Sequence, residues 1–562
     1  MESGNAQVKI GNVVLDYARY SGKDLYSDGK IEDVILEACK KGKKEELLLH
    51  STSWPVLYHL SSIRENIIEW YPMDKGSDVL EIGAGCGGIT GILSEKANSV
   101  TCIELSERRS YINAYRHRDM DNIKILLGNF QDIEPDLEKY DCVTLIGVLE
   151  YSMLYIKCEN PYLEMLRIAK KHLKPTGKLI IAIENKMGLK YWNGAPEDHT
   201  GRLFSSLNDY IDHEVVRTFS KNELKELLNK AGYERTEFYY PSPDYKLPDV
   251  IYSDNYLPGP GELRTYKKEY AGLRFYNFYE DIVSDQLCSD GVFPYMSNSF
   301  VVIAGDDSEL DIDFAKYNRE RRPEYRLVTC IENRGQERVV IKRALCKEAQ
   351  KSVNAMKKHE LEWRGILPNV LCAEGRITEK GYESRYIDGV RLDELMYIYR
   401  TDPENFIGKT RFYLKKYFTP DKDTLIPFKV TDRFIQVFGN GYPDRAESMR
   451  VSNIDALFSN MKLGGNHKVY AFDYEWVFDF PIPYKYVIWR AAKEIYYQYQ
   501  AYLKQKLSQE QFLERIGFEK PEINLYGKME ESFAYFVYGA DRYEKYTNHY
   551  VKGSIMQETR FC

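Results

Sequence analysis

The stretch Glu81-Ile-Gly-Ala-Gly-Cys-Gly87 decides how the first half of this 562-residue chain is read. It closes an apolar, strand-like run, Asp78-Val-Leu-Glu-Ile-Gly83, and Gly88-Ile-Thr-Gly-Ile-Leu-Ser94 behind it opens a helix. Glycines at alternate positions suit a chain that turns sharply and lets a ligand approach its backbone. The helix start presents free N–H groups and the positive end of a dipole, which favours an anionic group. Seventeen residues after Gly87, Glu104 ends the next run, Val100-Thr-Cys-Ile-Glu104, where a carboxylate can accept from ribose hydroxyls.

Working outward, the apolar runs Ile123-Lys-Ile-Leu-Leu127, Cys142-Val-Thr-Leu-Ile146, Lys178-Leu-Ile-Ile-Ala-Ile183 and Ser299-Phe-Val-Val-Ile-Ala304 alternate with helix-like stretches at 106–117, 162–173 and 221–231. Strands alternating with helices predict an α/β fold, a mostly parallel, Rossmann-like sheet with helices on both faces, over residues 77–305. Residues 1–76 read as a polar, helical extension of it. Gly305-Asp-Asp-Ser-Glu-Leu-Asp-Ile-Asp313 holds five carboxylates in nine residues, so 306–313 reads as an acidic linker. A second domain, 314–500, opens with a hairpin pattern, Arg326-Leu-Val-Thr-Cys-Ile331, Asn333-Arg-Gly335, Arg338-Val-Val-Ile-Lys342. Residues 501–562 read as a helical tail.

Composition narrows the class. Lys+Arg 78 against Asp+Glu 85 leaves −7, which argues against a broad electrostatic footprint for nucleic acid. Hydrophobic residues at 43% and charged residues at 29% exclude global disorder. The N-terminus shows no basic segment followed by an apolar one, and no run reaches the roughly 18 apolar residues of a membrane span. Ten cysteines without a CxxC pair suit buried thiols in a reducing compartment. A soluble, cytoplasmic protein is the expectation. The 47 tyrosines serve cores and sugar-contacting pockets alike.

Two ligands fit the glycine loop, a dinucleotide and S-adenosylmethionine, and Glu81 tips the choice. Glu-x-Gly-x-Gly-x-Gly resembles motif I of the class I S-adenosylmethionine-dependent methyltransferases, where the acidic residue supports the methionine ammonium. The resemblance extends to Gly128-Asn-Phe130, the adenine-edge position, where Asn129 departs from the usual Asp, and to Tyr140-Asp-Cys-Val143. It implies cofactor contacts from Glu81, Gly83, Ala84, Gly85, Gly87, Glu104, Asn129, Phe130 and Gly147. A dinucleotide enzyme and a loop that has lost its ligand are the alternatives.

Methyl transfer from a sulfonium is an in-line displacement. It needs an aligned acceptor and, for a hydroxyl or amine, removal of a proton; a general base adds about 10²–10⁴-fold to what positioning supplies. Acceptor groups are expected beyond the carboxyl ends of the strands. There the chain reads Gly147-Val-Leu-Glu-Tyr151 and Glu184-Asn-Lys-Met-Gly-Leu-Lys-Tyr-Trp-Asn-Gly-Ala-Pro-Glu-Asp-His199. The second stretch is too polar and aromatic for a plain connection. His199 beside Asp198 is the candidate base, because imidazole titrates near neutral pH. Glu150, Tyr151, Asn185 and Trp192 are candidates to line the acceptor pocket. Each is equally at home as a satisfied structural residue.

A second pattern lies downstream. Lys342 ends a strand-like run, Asn453-Ile-Asp-Ala-Leu-Phe-Ser-Asn460 follows after about 110 residues, and Val469-Tyr-Ala-Phe-Asp473 ends in an aspartate. This resembles the kinase-like fold, especially its aminoglycoside and choline kinase branch. The resemblance implies that Lys342 holds ATP phosphates and pairs with a helix carboxylate, Glu360. It makes Asp455 the residue that orients the hydroxyl, and Asn460 and Asp473 the magnesium ligands, an arrangement that neutralises charge across a transferring phosphoryl group. Asn453-Ile454-Asp455 stands where His-Gly-Asp or His-Arg-Asp is usual, and only Gly335 represents a glycine loop. A non-catalytic, kinase-like scaffold is the alternative.

Together the halves resemble the bifunctional methyltransferase–kinases that terminate bacterial O-antigen chains. Trp54-Pro-Val-Leu-Tyr-His-Leu60, Glu197-Asp-His-Thr-Gly201 and Asp473-Tyr-Glu-Trp-Val-Phe-Asp-Phe-Pro-Ile-Pro483 also look like methyltransferases linked to glycosyltransferases of surface-polysaccharide systems. What this implies is a saccharide or sugar-phosphate acceptor, glycosyltransferase partners, no nucleic acid, ATP with Mg²⁺ as a second cofactor, and a place at the inner face of the membrane without a spanning segment. A small-molecule or protein methyltransferase is the other reading.

Overall fold

Apolar runs covered on both faces form buried strands, and here they join into one 15-stranded sheet. The computed structural model describes residues 7–24, 27–211, 216–263, 276–306, 310–335 and 337–541. Its strands are β1 (Gln7–Ile10), β2 (Val13–Arg19), β3 (Asp78–Ile82), β4 (Ser99–Glu104), β5 (Ile123–Gly128), β6 (Tyr140–Ile146), β7 (Leu173–Glu184), β8 (Arg235–Ser242), β9 (Val250–Ser253) and β10 (Ser299–Gly305). From the second half come β11 (Ile312–Tyr317), β12 (Leu327–Arg334), β13 (Glu337–Ala344), β14 (Val370–Cys372), β15 (Gly375–Thr378) and β16 (Gly381–Arg385). The order is β1-β2-β5-β4-β3-β6-β7-β10-β8-β9-β11-β12-β13-β16-β15, with β14 in a separate sheet.

From β2 to β7 the neighbours are parallel. From β7 onward every pairing is antiparallel. The mixed α/β architecture with a large, Rossmann-like parallel section agrees with the sequence. Chain order reverses at β3, which has β4 on one side and β6 on the other. Such a reversal opens a crevice at the carboxyl ends of the strands.

Three expectations need correction. Residues 1–76 are not wholly helical: β1 and β2 form a hairpin that adds two strands to the sheet. The turn is Gly11-Asn12, where Gly11 has φ +60° and an added Cβ would lie 2.1 Å from Arg118 O. Val13 and Leu15 alternate into the core, a period-2 pattern. The helices Ile31–Lys40 and Trp54–Leu60 follow and pack Ile35, Val56 and Leu60 against Cys86 and Ile112.

The acidic stretch is only in part a spacer. Residues 307–309 lie outside the described residues, but Ile312 and Asp313 already belong to β11. Asp313 is 1% exposed and pairs with Arg338 at 3.0 Å. β11 pairs with β9 on one side and β12 on the other, so the two halves share a sheet and neither exposes an edge there. Charge composition read as solvated spacing, whereas Ile312 and Phe314 direct the segment into the core.

The C-terminal helices are likewise not a tail. Helices Gln509–Ile516 and Lys520–Tyr538 bury Phe512, Leu513, Tyr526, Met529 and Phe533 in one core with Trp489 and Tyr499 of helix Tyr484–Leu503. Residues 542–562 of the expected tail lie outside the described residues. A four-stranded sheet, β14 with Val469–Ala471, Met461–Gly464 and Gly389–Arg391, completes this half. Among the described residues no helix is long and apolar enough to cross a membrane.

Candidate active site

The loop after β3 bends as its glycines allow. Gly83, Gly85 and Gly87 have φ of +73°, +56° and +73°, the left-handed region that side chains disfavour. Its inner side is packed: a Cβ on Gly83 would lie 2.6 Å from Val148 Cγ2, and one on Gly87 2.3 Å from Asn113 Oδ1. Its outer side is open, with nothing within 4 Å of a Cβ on Gly85. Gly83 and Ala84 both donate to Ile103 O, at 2.9 and 3.1 Å.

Two buried acids support this loop. Glu81 accepts from Thr90 Oγ1 at 2.6 Å, and burial pushes its carboxyl up to about 7 against the lowering effect of that bond. Glu104 accepts from the backbone N–H of Gly85 at 2.7 Å and of Ser106 at 2.9 Å. Burial raises its pKa, with Arg109 opposing. Beyond β5, Asn129 Nδ2 donates to Tyr155 O at 3.3 Å, but its buried Oδ1 has no hydrogen-bond partner among the described residues. Phe130 beside it is buried. A glycine cradle open on one side, a strand-end carboxylate and an unused amide oxygen fit the backbone-bound methionine, the ribose and the amino group of S-adenosylmethionine.

The adjoining pocket sits at the ends of β6 and β7. Gly147 (φ +69°) follows β6, and a Cβ there would lie 3.0 Å from Tyr245 Oη and 3.7 Å from Glu150 Oε1. Glu150 and Glu184 are 1% and 0% exposed, and the Oε2 of each lacks a hydrogen bond among the described residues. Between them reaches the His199 side chain. Its Nε2 lies 3.7 Å from Glu150 Oε1 and 3.9 Å from Glu184 Oε2, and its Nδ1 lies 2.9 Å from Glu197 Oε1. Glu197 is fixed by the backbone N–H of His199 (3.0 Å) and Thr200 (2.7 Å). Tyr151 meets the imidazole edge-on at 5.3 Å.

The structure surrounds the expected base, His199, with three carboxylates. Burial disfavours the charged imidazole, yet Glu184, Glu150 and Glu197 outweigh it and hold His199 well above its usual pKa. Asp198 points the other way, as neighbours in a turn do: it accepts from Tyr191 Oη at 2.5 Å and pairs with Lys190 at 2.8 Å and Lys246 at 3.1 Å. Asn185 does not line the pocket. Its amide donates to Tyr295 O and Ser297 O and accepts from Met187 N, which fixes the loop. Trp192 is 43% exposed. Sequence reasoning missed Glu184, Glu197, Tyr245 and Lys246; Lys246, paired with Glu184, comes from 62 residues away and carries no local signal.

Comparison with known proteins bears on this half of the chain. Residues 57–237 match the model of a methyltransferase domain. The small-subunit ribosomal RNA methyltransferase A of Streptococcus equi subsp. zooepidemicus is 35% identical over 152 residues, 23% of this chain and 52% of the relative. That of Alkaliphilus metalliredigens is 24% identical over 159 residues, 28% of this chain and 53% of the relative. The chain thus spans about half the length of the curated relatives it matches. Among solved structures, a SAM-dependent methyltransferase from Archaeoglobus fulgidus covers 44% of this chain and 95% of its own, with 13% identity and a TM-score of 0.28.

Outside the matched methyltransferase segment, Lys342 and Asp473 belong to a second cluster of charged side chains. Lys342, 4% exposed on β13, lies 2.7 Å from Asp473 Oδ2 and 2.6 Å from Glu475 Oε1. Arg321 holds the other oxygen of Glu475 at 2.6 Å. Asp455 lies 3.2 Å from Arg490, and its C=O accepts from Asn460 Nδ2 at 3.0 Å. Burial raises the Asp455 carboxyl to about 6; Arg490 opposes this, and Asp473 and Glu475 add to it. Glu360 is not the partner of Lys342. Helix Gln350–Trp363 turns it toward Lys357, Arg364, Tyr382 Oη and Gly375 N, and Glu475 takes the expected role.

Proposed function

We propose that this protein transfers a methyl group from S-adenosylmethionine to a hydroxyl of a saccharide or sugar-phosphate acceptor. The observation that carries the reading is contiguity. Gly83 of the cofactor loop abuts Val148, and Val148 lies between Gly147 and the buried Glu150 of the pocket. When bound, S-adenosylmethionine supplies an electrophilic methyl on a sulfonium. The chain's own residues do the rest. The glycine loop and Glu104 hold the cofactor, and Asn129 Oδ1 accepts from its amino group. Glu150, with a free carboxylate oxygen, takes the acceptor's proton, and His199 orients the acceptor.

The acceptor class rests on the resemblance at Glu197-Asp-His-Thr-Gly201. The relatives' name suggests ribosomal RNA instead; a net charge of −7 argues against a broad electrostatic footprint for a phosphate backbone. Glycosyltransferases of the same pathway are the proposed partners, at the cytoplasmic face of a membrane.

The test is calorimetric titration of S-adenosylhomocysteine into the full chain, followed by labelled methyl transfer to sugar phosphates and to RNA. Saturable binding with transfer to the sugar is expected. Failure to bind overturns the reading, and transfer to RNA alone overturns the acceptor class.

A second reading applies to the C-terminal half, favoured by the approach of Lys342 to Asp473. There Lys342, Asp455, Asn460 and Asp473 would hold Mg-ATP for phosphorylation of the same glycan. Saturable Mg-ATP binding that Asp473→Ala abolishes is the expected result. No binding leaves a non-catalytic scaffold.

A further inference from the structure

The acceptor pocket contains an arrangement that methyl transfer by acid–base chemistry alone does not explain. Three side chains from three separate segments, Glu150 after β6, Glu184 at the end of β7 and His199 in the following loop, bring one ligand-type atom each within 4.8 Å of one another. Two of those groups are carboxylates with relative exposures of 1% and 0%, and each keeps an oxygen without a hydrogen bond among the described residues. Burying an unsatisfied carboxylate oxygen is costly, and two at one point call for a compensating charge. The nearest cationic atom to Glu150 is His199 Nε2 at 3.7 Å, beyond hydrogen-bond reach.

The geometry points to a divalent-cation site formed by Glu150, Glu184 and His199 in the acceptor pocket. The 3.7 and 3.9 Å separations from His199 Nε2 lie a few tenths of an ångström outside the ~3.4 Å edge of a tetrahedron with ~2.1 Å metal–ligand bonds. A small side-chain movement closes the gap.

The surrounding groups also match a metal site. His199 Nδ1 is held by Glu197 Oε1 at 2.9 Å, and Glu197 is itself fixed by two backbone N–H groups. A carboxylate behind a ligating histidine sets the tautomer so that Nε2 faces the ion. Lys246 and Tyr245 hold Glu184 Oε1, which leaves Oε2 for the metal. Carboxylates with one imidazole suit Mn²⁺ or a similar first-row ion.

Three protein ligands leave coordination positions open. This inference rests on the methyltransferase reading for its use: the ion binds the acceptor hydroxyl and lowers its pKa. The O–H bond breaks and its proton passes to the carboxylate oxygen of Glu150 that does not ligate the ion. The O–CH₃ bond forms as the S–CH₃ bond breaks, and that electron pair stays on sulfur.

The test uses the full chain after dialysis against a chelator. Mn²⁺ is titrated by calorimetry with and without S-adenosylhomocysteine, and bound Mn²⁺ is examined by pulsed electron paramagnetic resonance. Expected are one bound ion coupled to an imidazole nitrogen, loss of that coupling in His199→Gln, and about tenfold weaker Mn²⁺ binding in Glu197→Gln. S-adenosylhomocysteine binding unchanged in both variants shows that they are folded. The imidazole coupling excludes the Asn460/Asp473 cluster, whose proposed ligands include no histidine. Mn²⁺ binding without nitrogen coupling, or unaffected by His199→Gln, overturns the metal site and leaves the methyltransferase reading standing. Coupled Mn²⁺ with no S-adenosylhomocysteine binding overturns the methyltransferase reading and leaves the metal site.

Discussion

The two clusters of buried charge in this protein are built differently. In the second, every carboxylate has a cation at close range: Asp473 and Glu475 on Lys342, Glu475 also on Arg321, and Asp455 on Arg490. In the first, Glu184 has Lys246, but Glu150 faces only an imidazole at 3.7 Å, and two carboxylate oxygens lack hydrogen bonds among the described residues. Compensated ion pairs hold a structure in one arrangement. An uncompensated pocket stores an affinity for something that is not protein, at a cost in stability that binding sites commonly carry. On this comparison the second cluster has the charge balance of a latch and the first that of a receptor.

The comparison can be broken most decisively at Glu475. Lys342 and Arg321 keep its carboxyl well below the usual range against the effect of burial. Glu475→Gln should therefore leave Lys342 and Arg321 undercompensated and cost about 3–5 kcal/mol, read from urea midpoints. A loss under about 1 kcal/mol would mean that the second cluster is not a latch.

Asp455 gives the pH dependence. Its folded carboxyl is raised by burial to about 6 from an ordinary value near 3.8. Its contribution is therefore fully present below about pH 4 and lost as pH rises through 6. The stability of wild type relative to Asp455→Asn should fall by roughly 2–3 kcal/mol between pH 4 and pH 8. A flat difference would place Asp455 in a solvated setting.

Gly83→Ala sharpens the first site. A side chain at φ +73°, 2.6 Å from Val148, costs about 1–2 kcal/mol of strain. S-adenosylhomocysteine binding should weaken about tenfold. Unchanged binding would separate the loop from the cofactor.

The smallest effect has the opposite sign to that of Glu475→Gln. Burial raises the Glu150 carboxyl, with His199 only partly offsetting it. Glu150→Gln should stabilise the metal-free protein by about 1 kcal/mol while reducing methyl transfer at least about 10²-fold. Destabilisation would show that Glu150 is already satisfied.

Much of this was legible in the chain. The glycine loop, the acid at Glu104 and the strand alternation follow from local patterns, because turns, strand ends and periodicity are written in consecutive residues. The β1–β2 hairpin, at Gly11-Asn12 between alternating apolar residues, was missed because the surrounding polar sequence reads as helix. The acidic segment misled because composition does not say which residue faces inward; Asp313 is buried on Arg338 of another strand.

What the tertiary structure alone decided is the partner of each charge. Sequence placed Asp198 beside His199, yet a turn sends adjacent side chains to opposite sides, and Glu197 holds the imidazole. It suggested Glu360 for Lys342, yet the Glu360 side chain faces Gly375 of β15 and Tyr382 of β16, and Glu475 arrives from the strand-end segment. Sequence fixes which groups are present and the local shape that carries them. Coulombic and hydrogen-bond partners are set by separations of a few ångströms between segments tens to hundreds of residues apart, and only packing determines those.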